Sequence, residues 1–254
     1  METFDVGDFS LAYERRGRGA PLVLIHGYPL DHSIWNEVTH LLEDDFDLIL
    51  PDVRGFGASS TAGDVYTVLD MARDIVELLD HLKIEKSAFA GHSMGGYIAL
   101  ALAKHFPSRV SGLALVASQT LADTPERKDG RYKTAKEVRE KGVGVVAEAM
   151  TDKLSSIQTV RDFVRPLIER QSIAGIAGAL HAIAEREDTT SLFSSLRLPL
   201  VLLHGDADAL IPIDRARELK SLLPYSHLVE IQGGGHMPML EASQVTAEAL
   251  KYLK

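Results

Sequence analysis

The chain has 254 residues, no cysteine and a formal net charge of −9. An acidic surface repels the phosphates of nucleic acid, and the lack of cysteine removes disulfides, thiolate metal sites and cysteine nucleophiles together. Hydrophobic residues make up 45% and charged residues 25%, an ordinary globular balance, and no apolar run approaches the roughly 18 to 20 residues needed to span a bilayer.

The opening METFDVGDFS is acidic where a secretory signal would be basic and then apolar, so a cytoplasmic protein without a membrane partner is expected. Pro21 to Ile25, Phe46 to Leu50, Ser87 to Ala90 and Leu113 to Ala117 are short apolar runs of the kind that form buried parallel strands. Between them, Thr67 and Asp70 have the spacing of a capping box. Met71, Ile75, Leu78, Leu79 and Leu82 follow at helical intervals, and Tyr97 to His105 reads as an alanine-rich helix.

After Ser118 the pattern turns helical. Thr124-Pro125 looks like a helix start with proline at the first position, and Ile173 to Ala184 is apolar with small residues along it. Residues 119–197 carry 13 basic and 12 acidic side chains, nearly neutral between acidic flanks. A helical insert over the sheet is expected there, with 1–118 and 198–254 as the core and 119–197 as a cap. Pro199 to Leu203 and His227 to Ile231 restore the strand pattern, and Gln244 to Leu253 reads as a closing helix.

Gly91-His92-Ser93-Met94-Gly95-Gly96 places a serine between glycines at a strand-to-helix junction. A serine on so sharp a turn exposes its hydroxyl, and the helix start puts the Met94 N–H where an oxyanion could accept from it. Serine needs a base, and the base needs a carboxylate to orient it. His236 follows the last strand, and Asp206 and Asp208 follow the strand before it, on the edge of the sheet where ligand crevices form.

Together with His26-Gly27-Tyr28-Pro29 and the run from Asp52 to Gly57, these motifs stand in the order serine, aspartate, histidine, and the chain resembles an α/β-hydrolase-fold enzyme over nearly its whole length. The resemblance implies a mostly parallel sheet flanked by helices with an inserted helical cap. It implies Ser93 as nucleophile, His236 as base and Asp208 as acid; Asp206 is the alternative acid, otherwise expected to hydrogen-bond its own loop. It also implies an oxyanion hole from the N–H groups of Tyr28 and Met94.

Tyr28, Trp35 and His92 are candidates for contact with substrate; Tyr28 and Trp35 could equally be ordinary core aromatics, and His92 reads rather as support for the turn. His26 is expected to buttress backbone, and Asp52 and Arg54 to form an ion pair shaping their loop. No histidine shows a metal-ligand spacing, and neither metal nor cofactor is implied. A serine nucleophile points to acyl transfer, so the expected activity is that of a carboxylesterase on small to medium acyl esters. Enol-lactone hydrolysis, thioester hydrolysis, perhydrolysis and a slow small-molecule receptor are the alternatives. The segment Thr124 to Lys141 has 7 basic against 4 acidic residues, and Arg131, Lys133 and Lys136 are expected to attract an anionic substrate such as an acyl-CoA. The natural acyl and alcohol groups and the oligomeric state stay open.

Overall fold

A computed structural model describes residues 1–254. Its centre is an eight-stranded sheet: β1 Glu2–Val6, β2 Phe9–Gly17, β3 Ala20–Ile25, β4 Phe46–Pro51, β5 Ser87–His92, β6 Val110–Val116, β7 Leu200–Gly205 and β8 His227–Ile231. The spatial order is β1-β2-β4-β3-β5-β6-β7-β8. From β4 to β8 all neighbours are parallel, while β2 runs antiparallel to β4 and to β1. Every residue of β5 and of β7 is buried, so both faces of the sheet centre are covered, as their near-continuous apolar sequences require.

The sheet order reverses between β3 and β5, which pair in register with Ile25 beside Gly91. The loops leaving these two strands therefore part to opposite sides and leave a crevice at their carboxyl ends. One carries Tyr28 and the other Ser93, so the topology itself brings the two together.

The helices are α1 Asn36–Leu42, α2 Val68–His81, α3 Met94–His105, α4 Pro125–Lys141, α5 Gly144–Leu154, α6 Gln158–Glu169, α7 Ile173–Ala184, α8 Thr190–Ser195, α9 Asp214–Leu222, α10 Pro238–Glu241 and α11 Ser243–Leu250. The capping box at α2 forms in full, with Thr67 accepting from the Asp70 N–H and Asp70 from the Thr67 N–H. Thr124 caps α4 ahead of Pro125. No helix is long and apolar enough to cross a membrane.

Helices α4 to α8 all lie between β6 and β7. They do not form a hydrophobic unit of their own. Val138, Val164 and Ile176 belong to the same continuous cluster of 73 buried residues as Leu24 and Phe89 of the sheet. The contact is closest where α7 meets the loop after β4: a Cβ on Gly175 would lie 1.9 Å from the Gly55 carbonyl oxygen, a distance no side chain tolerates. Tyr66 Oη donates to the Gly175 carbonyl at 2.8 Å and Ser172 Oγ to that of Gly55 at 2.8 Å, so small residues and hydrogen bonds dock the insert together.

The strands β1 and β2 are absent from the expected elements. They form an antiparallel ribbon at the sheet edge, where Glu14-Arg15-Arg16 interrupts the apolar pattern and only part of each strand is buried. An edge ribbon has little need of the continuous apolar run that marks a buried parallel strand.

Candidate active site

Ser93 sits at φ +49°, ψ −110°, outside the regions ordinary side chains prefer. Three hydrogen bonds hold the turn. Ser93 N–H donates to Val116 O at 2.9 Å, Gly96 N–H to Ser93 O at 2.9 Å and Ser118 Oγ to Ser93 O at 2.8 Å. The glycines are sterically required, because a Cβ on Gly91 would fall 2.2 Å from Gly95 and one on Gly95 2.3 Å from Ile25 O. Strand β5 and helix α3 thus cross at a separation that only glycine permits, and the serine is pushed outward, partly exposed among buried neighbours.

His236 Nδ1–H donates to Asp208 Oδ2 at 2.7 Å, both side chains buried. Asp208 Oδ1 accepts from the N–H groups of Leu210 at 2.8 Å and Ile211 at 3.0 Å. Burial alone would raise the Asp208 carboxyl. The charge of His236 and hydrogen bonds from His204, His236 and Ile211 outweigh it and hold the group far below the usual carboxylate range. Asp206 bonds across to the histidine loop rather than within its own loop as expected: its Oδ1 accepts from Gly233 N–H at 2.7 Å.

Around this pair stand three further buried histidines. His204 Nε2–H points between Ile211 O at 2.7 Å and Asp208 Oδ2 at 3.2 Å, a second donor on the acid to which the sequence reading assigns no role. His92 Nε2–H donates to His236 O at 2.8 Å. Burial and the nearby charge of His236 keep His92 well below the usual histidine range, hence neutral. His26 is also kept neutral, chiefly by burial; its Nδ1–H donates to Gly27 O and its Nε2 accepts from Val53 N–H, both at 3.0 Å. It therefore clamps the loops after β3 and β4.

Ser93 and His236 line one cavity of about 380 Å³, shared with Tyr28, Tyr97 and side chains of α4, α5 and α7. Tyr28 lies in the wall, and its amide makes no intramolecular hydrogen bond. Met94 begins α3, where N–H groups have no partner one turn earlier.

Several expectations are corrected. Trp35 is fully buried within the core and lines no part of the cavity, so it does not contact substrate. His92 is fully buried too, and its position is that of a support for His236 rather than a binding residue. Arg54 does not pair with Asp52. It forms a two-pronged ion pair with Asp74 on α2, while Asp52 accepts from the His32 N–H and Nδ1–H and from Ala58 N–H. Of the three basic residues expected to draw an anion, only Arg131 lines the cavity. Lys133 and Lys136 do not, and Arg127 and Lys153 do.

Asp123 is buried at the cap root, where it binds both Arg131 and Arg186, the latter at 2.9 Å. Burial opposes its charge, but the hydrogen bond and charge of Arg131, with Arg186, hold its carboxyl below the ordinary range. Asp123→Asn strands two guanidiniums and is expected to destabilise by about 3 to 5 kcal/mol at neutral pH in urea melts. A depressed carboxylate stabilises above its unfolded value, so the gap between variant and wild type should close as pH falls below about 4. A constant gap across that range would mean the charge is not what holds the cluster.

A family model described as alpha/beta hydrolase fold matches residues 20–243. A thermophilic esterase from Thermogutta terrifontis superposes with a TM-score of 0.92 at 36% identity, over 96% of this chain and 92% of that one. The AB hydrolase superfamily protein YisY of Bacillus subtilis (strain 168) is 30% identical over 249 residues, covering 92% of this chain and 91% of its own length. The 3-oxoadipate enol-lactonase 2 of Acinetobacter baylyi (strain ATCC 33305 / BD413 / ADP1) is 27% identical, covering 98% of this chain and 95% of its own.

Proposed function

The chain belongs to the alpha/beta hydrolase fold family, and from that premise we propose that it is a serine esterase cleaving carboxylic esters of small to medium acyl groups through an acyl-enzyme. The observation that carries the reading is the buried 2.7 Å bond between His236 Nδ1 and Asp208 Oδ2, opening on the cavity that Ser93 lines.

In this mechanism Asp208 fixes the His236 tautomer with the proton on Nδ1, leaving Nε2 to take the Ser93 proton. Ser93 Oγ attacks the ester carbonyl, and the oxyanion accepts from the Tyr28 and Met94 amides. His236 then gives its proton to the departing alcohol. A water, deprotonated by His236, attacks the acyl-enzyme and releases the acid and Ser93. Backbone amides held in place ahead of the reaction need no reorganisation during it, which is why such donors are worth roughly 10² to 10³ each in rate.

The reading is tested with a serine-directed fluorophosphonate. Stoichiometric labelling that maps by mass spectrometry to Ser93, with loss of p-nitrophenyl butanoate hydrolysis in step, is the expected outcome. Labelling elsewhere, with hydrolysis retained, would sink it. The cysteine-free composition supports a place in the cytoplasm.

Chain length is limited by Tyr97. Its ring lines both the main cavity and a second pocket of about 210 Å³ behind it, and the guanidinium of Arg186 lies 4.3 Å from the ring centroid, pinning it. Tyr97→Ala should join the two spaces. In a series from acetyl to decanoyl p-nitrophenyl esters, the ratio of decanoyl to butanoyl kcat/KM is expected to rise at least about tenfold, since each newly buried methylene is worth about 0.8 kcal/mol. An unchanged profile would place the acyl chain elsewhere.

A further inference from the structure

The charge inside the cavity runs against that of the molecule. In a chain of net charge −9, three cationic side chains, Arg127, Arg131 and Lys153, line the space above Ser93, and no carboxylate does. Three other cations of α4 are matched, Lys128 with Glu185, Lys136 with Glu140 and Arg139 with Asp64, while Lys133 and Lys141 are unpaired but lie outside the cavity lining. Arg127 on α4 and Lys153 on α5 are both exposed and have no acidic partner. Arg131 is anchored by Asp123, but that one carboxylate also serves Arg186, so the cluster keeps a surplus positive charge.

A second, independent feature belongs to the same lining. Tyr28 Oη is buried and has no hydrogen-bond partner, although Tyr28 lines the cavity. A buried hydroxyl left unpaired is costly unless a ligand satisfies it. Burial keeps the phenol protonated, and Arg131 is near enough for its charge to act on it. The phenol is thus a neutral donor in a lining that also holds the Arg131 guanidinium, a pairing suited to an anionic oxygen. The remaining wall, including Val146, Met150, Leu180 and Ile183, is apolar and suits a short methylene chain.

We propose that the site selects esters whose acyl chain ends in a second carboxylate, which Arg131 and the Tyr28 hydroxyl bind while Arg127 and Lys153 draw it in. The proposal rests on the serine-esterase reading and adds the substrate class to it. One anchored guanidinium and one unpaired hydroxyl in the lining suit a single carboxylate, and the phosphates of coenzyme A are the rival anion that the test separates.

The test compares mono-p-nitrophenyl esters of succinic, glutaric and adipic acid with the butanoyl, pentanoyl and hexanoyl esters, on wild type, Tyr28→Phe and the double variant Arg127→Gln/Lys153→Gln. Wild type is expected to prefer at least one half-ester over its neutral counterpart by roughly tenfold or more in kcat/KM. That preference should fall about tenfold in each variant, and in wild type it should weaken as salt is raised, because Arg127 and Lys153 are exposed. Titrating glutarate into Ser93→Ala checks binding without turnover.

A wild type that hydrolyses neutral esters with no preference for half-esters overturns the proposal while leaving the esterase reading standing. Variants that lower both ester classes equally do the same. If butanoyl-CoA proves the best substrate and only the Arg127/Lys153 variant impairs it, the anion is a phosphate and the proposal fails. If no ester is cleaved by wild type, the esterase reading itself has failed.

Discussion

Ser93→Ala is expected to lower kcat for p-nitrophenyl butanoate by about 10⁴- to 10⁶-fold while leaving the protein folded. The loss is large because a nucleophile, its base and the orienting acid act as one unit: without Oγ, neither the His236 proton transfer nor the oxyanion amides have a covalent intermediate to serve. Stability should change by less than about 0.5 kcal/mol. Alanine keeps the Cβ that already sits at φ +49°, and the three bonds holding the turn all involve backbone of residue 93 rather than its hydroxyl. Steady-state kinetics beside urea melts separate the two effects. Residual activity within tenfold of wild type, after exclusion of contaminating esterase, would remove Ser93 from the mechanism.

Asp208→Asn is the second large effect, about 10⁴-fold in kcat. An amide at this position must place an NH₂ where a carboxylate oxygen now stands. Asp208 Oδ1 faces two N–H donors, so the asparagine oxygen would turn to Leu210 and Ile211, and its NH₂ would face His236 Nδ1. Nδ1 must then accept, which moves the imidazole proton to Nε2 and removes the base from Ser93. His204 Nε2–H would be left opposing the same NH₂ and adds a cost in stability. Asp206→Asn provides the contrast: its oxygen still accepts from Gly233 N–H, so activity should stay within a few-fold of wild type. If the two variants reversed rank, the acid would be Asp206.

The central strands that carry chemistry are legible because the middle of a parallel sheet is buried on both faces, and β3, β4, β5, β6 and β7 declare themselves as largely apolar runs. The closing strand agrees residue for residue, His227–Ile231. In the antiparallel ribbon of β1 and β2 the apolar run is broken, by Glu14-Arg15-Arg16 in β2, and the signal is lost. The loop ion pair was misassigned for a related reason. Asp52 and Arg54 are near in sequence, but Arg54 reaches across to Asp74 on α2, and sequence spacing within a loop says little about where a long side chain points.

The cap was hardest to read. Along the seventeen residues of α4 only Ala135 and Val138 are buried, so no apolar stripe marks which side looks inward. Arg127 and Arg131 face the cavity while Lys133 and Lys136, equally basic and two to nine residues away, do not. Trp35 failed in the other sense, since an aromatic near a binding loop serves the core or the pocket with equal ease, and burial decided for the core.

What the sequence determined by itself was the set of groups and their order along the chain: a serine between glycines, an acid loop and a late histidine, each after an apolar strand. Tertiary structure decided which of two aspartates reaches His236, which histidines merely hold backbone, and which cations face the cavity. The physical reason is one of range. Glycine turns and buried strands are imposed by local sterics and continuous burial, whereas a 2.7 Å bond between residues 28 apart, or the facing of a polar helix, exists only once the sheet and cap have packed.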